Sequence, residues 1–153
     1  MVEVQIPEAR IRRADSYSIF RALLDYSTEP VDVTLFSFAV AEVWIRRFIA
    51  LKAEGRIRKL RVCANFEIMS RQTTSCLMLD EVCDEFRLTN THAKMIFMED
   101  ADGGGVNPRV AVTSANLTEN YRVEAYFTTD DPAVCRRLKQ DMDDVFADSV
   151  RRK

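Results

Sequence analysis

The feature that most constrains this chain is a change of hydrophobic period across residues 31–64. The segment VDVTLFSF at 31–38 alternates apolar and polar side chains and then turns wholly apolar, as a strand entering an interior does. Residues 39–54 shift to helical spacing, with Val40, Val43, Trp44, Phe48 and Leu51 inward and Arg46, Arg47 and Lys52 outward. Gly55 then supplies a C-terminal stop signal. Residues 57–64 return to strand character through Ile57, Leu60 and Val62. Strand, helix and strand in that order predict a βαβ unit, and with it an α/β fold.

The flanking segments extend the alternation. Residues 14–26 read as a helix, capped by Asp15 or Ser16, with Ile19, Phe20, Leu23 and Leu24 on one face. Residues 66–74 lack clear periodicity, and a short helix is predicted over 75–85, before a strand that His92 and Lys94 open. Strands are also predicted over 109–114 and 122–128. Asp130, Asp131 and Pro132 then open a final helix whose core stripe is Val134, Leu138, Met142, Val145 and Phe146. The tail at 151–153 reads as frayed. The expected architecture is α/β, a mixed β-sheet sandwiched between helices, in a single domain spanning residues 1–153 with no internal repeat.

Composition narrows the class. With 47% hydrophobic and 30% charged residues, the chain suits a soluble globular domain with its own core. No apolar run approaches the roughly 20 residues needed to span a bilayer, so no transmembrane segment is expected. The first ten residues lack the basic and apolar regions of a secretory leader, which predicts a cytoplasmic protein. Cys63, Cys76, Cys83 and Cys135 show no CxxC spacing, and they read as buried, reduced thiols rather than metal ligands. Neither a metal nor a cofactor is expected. Charge is uneven: residues 1–61 hold 11 Lys and Arg against 8 Asp and Glu, a balance of +3, and the remainder holds 11 against 16, a balance of -5. A basic cluster, Arg56, Arg58, Lys59 and Arg61, stands either beside a polyanion path or on a solvated face.

The chemistry concentrates in residues 91–124, THAKMIFMEDADGGGVNPRVAVTSANLTENYRVE. His92, the only histidine, precedes Lys94 by two positions, and Ser114 and Asn116 repeat that spacing. On a strand, residues two apart share a face. If 109–114 returns beside the His92 strand through the turn at Gly103, Gly104 and Gly105, the four polar groups converge at one end of a strand pair. An imidazole, a cation, a hydroxyl and an amide together suit an oxyanion of phosphorus.

His-x-Lys followed by Ser-x-Asn resembles the HKD signature of the phospholipase D superfamily, HxKxxxxD and then GSxN. Two positions depart from it. Glu99, with Asp100 next to it, stands where the family has aspartate, and Thr113 stands where glycine is usual. The spacing between the halves is also longer, with the surplus in the turn at 101–108. Glu124 resembles a glutamate that members carry downstream.

The resemblance implies a phosphodiesterase in which His92 attacks phosphorus to form a phosphohistidine. Lys94 and Asn116 hold the non-bridging oxygens. Ser114 bonds the phosphate or positions its neighbours, and Glu124 orients the imidazole. One histidine does not comfortably serve as both nucleophile and acid, so an active chain requires a second copy. The resemblance implies the same, because one-motif members look like homodimers. Two lysines and the amides neutralise charge that a metal would otherwise carry, so metal-independent turnover is expected. Nucleic acid is the expected substrate, since the chain lacks a leader and an evident membrane-docking helix. The alternatives are a phospholipid-hydrolysing enzyme, a silent phosphate- or nucleic-acid-binding module, and a structural dimerisation domain.

Overall fold

The structure, a computed structural model, describes residues 8–101, 104–119 and 122–153. The leader reading and Gly103 of the predicted turn therefore fall, wholly or in large part, outside the described residues. Strands β1 (Glu8–Ala14), β2 (Val31–Ser37), β3 (Ile57–Asn65), β4 (Glu85–Thr89), β5 (Met95–Asp100), β6 (Val106–Thr113), β7 (Arg122–Thr129) and β8 (Val150–Arg151) form one mixed sheet. Its order is β1-β7-β6-β5-β2-β3-β4-β8. The helices are α1 (Ser16–Leu24), α2 (Glu42–Ala53), α3 (Ile68–Arg71), α4 (Thr73–Val82) and α5 (Pro132–Asp148). The fold is thus α/β. Strands β2, β3 and β4 run parallel, and the remaining neighbours pair antiparallel.

Strand alternation divides the apolar residues between two clusters. Leu35, Val62, Ile96, Met98 and Ala111 join Phe20 and Leu23 of α1 and Trp44 and Phe48 of α2. Their chain neighbours Phe36, Cys63, Phe97 and Val110 join Cys135, Met142 and Phe146 of α5. Helix starts follow local chemistry. Asp15 accepts from Ser18 N at 2.7 Å to cap α1, and Asp131 accepts from Val134 N at 3.0 Å to cap α5. Helix α2 begins later than its pattern because Val40 pairs with Leu117 in a parallel bridge and donates its N–H to Gln72 Oε1. Gly55, after α2, adopts φ +75, a conformation glycine enters without penalty.

Several expectations change. The helix expected over 75–85 is α4, which starts at Thr73 and stops at Val82, and Glu85 opens a strand, β4, that is not among the expected elements. Residues 8–14 form an edge strand of which only Ala14 is buried, so no apolar alternation announces it. Residues 150–151 pair with β4 rather than fray. Val134 and Val145 of α5 are exposed, while Cys135 is buried. The basic cluster is largely engaged: Arg56 donates to the carbonyls of Leu24 and Ser27, Arg58 pairs with Asp32, and Arg61 pairs with Glu85 and Asp143.

Candidate functional site

The candidate site lies where the parallel strands β2, β3 and β4 end, at Ser37, Asn65 and Thr89. Crevices beyond the carboxyl ends of parallel strands are where open α/β sheets bind ligands. The chain leaves β4, passes through His92 and enters β5 at Met95. His92 and Lys94 therefore precede the strand rather than open it. The reason is local: Thr91 Oγ1 accepts from Ala93 N at 3.0 Å, and Asn65 Nδ2 donates to Thr91 O at 3.0 Å. Side chains occupy the backbone groups that a ladder would use. The ladder resumes at Lys94, whose carbonyl accepts from Thr113 N at 3.0 Å.

The exposed imidazole of His92 stacks on Phe38, with ring centroids 5.2 Å apart and planes 26° apart. Lys94 Nζ folds back to donate to the His92 carbonyl at 3.0 Å. Asn116 Oδ1 accepts from Phe38 N at 3.2 Å. Because a backbone N–H only donates, that bond assigns the amide and leaves Nδ2 as its donor end. Ser37, buried, braces the same loop: its Oγ donates to Ala39 O at 2.5 Å and accepts from Leu117 N at 3.2 Å. Ser37 Oγ also lies 3.4 Å from Asn116 Oδ1, but its single proton goes to the nearer carbonyl.

Ser114 Oγ donates to Glu124 Oε2 and accepts from Ala125 N at 3.1 Å. Among the described residues no hydrogen bond joins Glu124 to His92, so within one chain the carboxylate positions the serine rather than the imidazole. Contacts nonetheless link all five residues. His92 reaches Asn116 through Phe38, and Lys94 reaches Ser114 and Glu124 through Thr113. Beside Phe38, a cleft of about 170 Å³ is lined by Ala39, Glu67, Ile68, Arg71 and Gln72.

Of the two candidate acids, Asp100 is buried, whereas Glu99 is half-buried. Asp100 pairs with Arg109 at 3.0 Å and accepts from Ser27 and Asn107. Burial pushes its carboxyl up, but the bonds from Asn107, Arg109 and Ser27 outweigh it and hold it below the usual range. Phe38 and Asn65 carry the site's geometry, yet nothing in their local sequence marks them. Among the described residues no group of three or more His, Cys, Asp and Glu side chains is placed to hold a metal ion. All four cysteines are free and buried, with burial raising Cys83 to about 12. No described helix is long and apolar enough to cross a membrane.

No protein-family model matches the chain, and no curated protein matches it. Solved structures do. An archaeal chromatin protein, TrmBL2, whose structure shows a novel mode of DNA binding, is similar with a TM-score of 0.64 and 14% identity, over 98% of this chain and 55% of that one. A yeast tyrosyl-DNA phosphodiesterase mutant aligns with a TM-score of 0.45 and 17% identity, over 79% of this chain and 32% of that one. This chain thus spans about half the length of the first and a third of the second. At such identity the likeness to the chromatin protein concerns the fold.

Proposed function

We propose that this chain is a phospholipase D-like phosphodiesterase, with helices on both sides of its sheet, that cleaves nucleic-acid phosphodiester bonds at a site completed by a second copy. One observation carries the proposal: the motif residues His92, Lys94, Ser114, Asn116 and Glu124 gather at one end of the sheet, linked through Phe38 and the Thr113 backbone, although they span 33 positions of sequence.

In this mechanism a His92 ring nitrogen attacks phosphorus. A P–N bond forms, and the bond to the leaving oxygen breaks. The second copy's His92, protonated, gives its proton to that oxygen. It then takes a proton from water, whose oxygen attacks phosphorus and releases the first imidazole. Lys94 and the Asn116 amide donate to the non-bridging oxygens, where charge accumulates. Ser114 and Glu124 act as a unit that shapes this end of the sheet. No step requires a metal. An exposed apolar strip, Ile11, Val112, Val123 and Phe127, runs along β1, β7 and β6 toward Ser114 and supports burial against another copy.

The test is cleavage of labelled single- and double-stranded DNA and RNA in EDTA. Wild type is expected to cleave at least one polymer, and His92→Ala to lose roughly a thousandfold or more of that rate, as removal of a nucleophile does. Near-wild-type turnover in the variant sinks the mechanism. The silent binding module is favoured by one observation, the absence of a carboxylate partner for His92 among the described residues. It requires that wild type binds without cleaving and that His92→Ala leaves binding unchanged.

A further inference from the structure

We propose that Arg12 and Arg122 form a phosphate-binding subsite beside Glu124, and that the substrate is accordingly a polynucleotide strand with further phosphates next to the reacting one. This rests on the phosphodiesterase reading for the place of the reacting phosphate. The register of β1 against β7 sets Arg12 opposite Glu124 and Ala14 opposite Arg122. Side chains alternate across a pleated sheet, so Arg12, Arg122 and Glu124 share one face. Paired strands lie about 4.8 Å apart, which puts both guanidinium groups within side-chain reach of the carboxylate that receives the Ser114 hydroxyl.

These two cations differ from the ion-paired arginines of the surface. Arg10, Arg58, Arg61 and Arg87 each meet a carboxylate within 3.1 Å. Among the described residues Arg12 and Arg122 form no ion pair, and both are exposed. Glu124 faces Arg12 and lies two residues from Arg122 on β7, yet its bond is to Ser114. Arg12 is also steadied, with its guanidinium 5.4 Å from the centre of the Tyr126 ring. In a chain of net charge -2, two cations against the single Glu124 carboxylate leave a local positive balance that draws a polyanion there.

The alternation also separates this face from an apolar one. Ile11, Val123 and Phe127 are 77%, 58% and 43% exposed, and they lie on the opposite side of β1 and β7. A membrane surface would engage cations and apolar side chains together. Arg12 and Arg122 face away from that strip, whose own cation is Arg13, opposite Val123; a polyanion held by Arg12 and Arg122 therefore meets no apolar side chain of the strip.

The experiment is a binding titration of the full chain with a labelled single-stranded thymidine oligonucleotide over a range of salt concentrations, followed by anisotropy. Replacing both residues, Arg12→Gln with Arg122→Gln, is expected to weaken binding about tenfold and to reduce the log–log salt slope by about 1.4, roughly 0.7 for each phosphate that is no longer neutralised. Arg12→Lys with Arg122→Lys should retain most of the slope, since the interaction is with charge. Unchanged affinity and slope in the glutamine variant, or a lysine variant as weak as the glutamine one, overturns the subsite. So does arginine-dependent retention on phosphatidylserine vesicles without any effect on the oligonucleotide. The underlying reading fails separately: a wild type that binds through these arginines but hydrolyses neither the oligonucleotide nor bis(p-nitrophenyl) phosphate retains the subsite and loses the enzyme.

Discussion

At Asn116 one backbone N–H decides what a side chain has left to offer. Phe38 N takes the amide oxygen, so the NH₂ group is the end available to an anion. Asn116→Asp separates holding the loop from binding phosphate. A carboxylate still accepts from Phe38 N, so thermal stability should stay within about 1 kcal/mol of wild type, the net worth of one such bond. The donor is lost, however, and a negative charge replaces it, so oligonucleotide cleavage should fall by at least about a hundredfold. A melting curve and a cleavage assay on the same preparation check this; an active aspartate variant removes Asn116 from the mechanism. The residue types of this site are legible in the sequence because chemistry restricts them. The bond that orients Asn116 is not, since Phe38 lies 78 positions away.

At the scale of elements, the β5–β6 pair is held at the end remote from His92 by a buried ion pair. Arg109 is 0% and Asp100 is 5% exposed, and Arg109 also donates to the carbonyls of Leu23 and Asn107. Burial lowers the pKa of Arg109, but its ordinary value is high enough that the group stays charged. Asp100→Ala would leave that charge without its counterion and should cost about 3–5 kcal/mol in a urea titration. The pH dependence follows from the lowered Asp100 carboxyl. A depressed folded-state value gives a contribution fully present above the ordinary carboxylate range and lost as pH falls through the folded value. Wild-type stability should therefore decline in acid more steeply than that of Asp100→Asn. Parallel declines would show that another carboxylate controls acid unfolding. The sequence leaves Glu99 and Asp100 as alternatives for the motif acid. Burial separates their surroundings: Asp100 is the carboxylate enclosed by Arg109, Asn107 and Ser27.

For the whole molecule, one histidine per chain and an exposed apolar strip bear on the same question. If a second copy completes the site, the isologous contact of a two-fold dimer is the natural way to add it. Val123, 58% exposed on the strip, faces Arg13 across β1 and β7. Val123→Glu should convert a dimer to a monomer in sedimentation velocity and abolish cleavage while leaving the fold intact by circular dichroism. A cleaving monomer would require the second proton donor to come from within one chain.

The sequence alone determined what local physics encodes. The period change across 31–64 specified β2, α2 and β3, the acids at 15 and 130–131 fell at helix starts, and the spacing of His92, Lys94, Ser114 and Asn116 marked the candidate site. Tertiary structure decided what depends on distant partners. Strand β1 forms because β7 offers it a free edge, although its own residues are polar and mostly exposed. His92 sits ahead of β5 because Thr91 and the distant Asn65 engage the backbone around it. Arg12 stands beside Glu124 only through strand pairing across 112 residues, a separation that no local periodicity records.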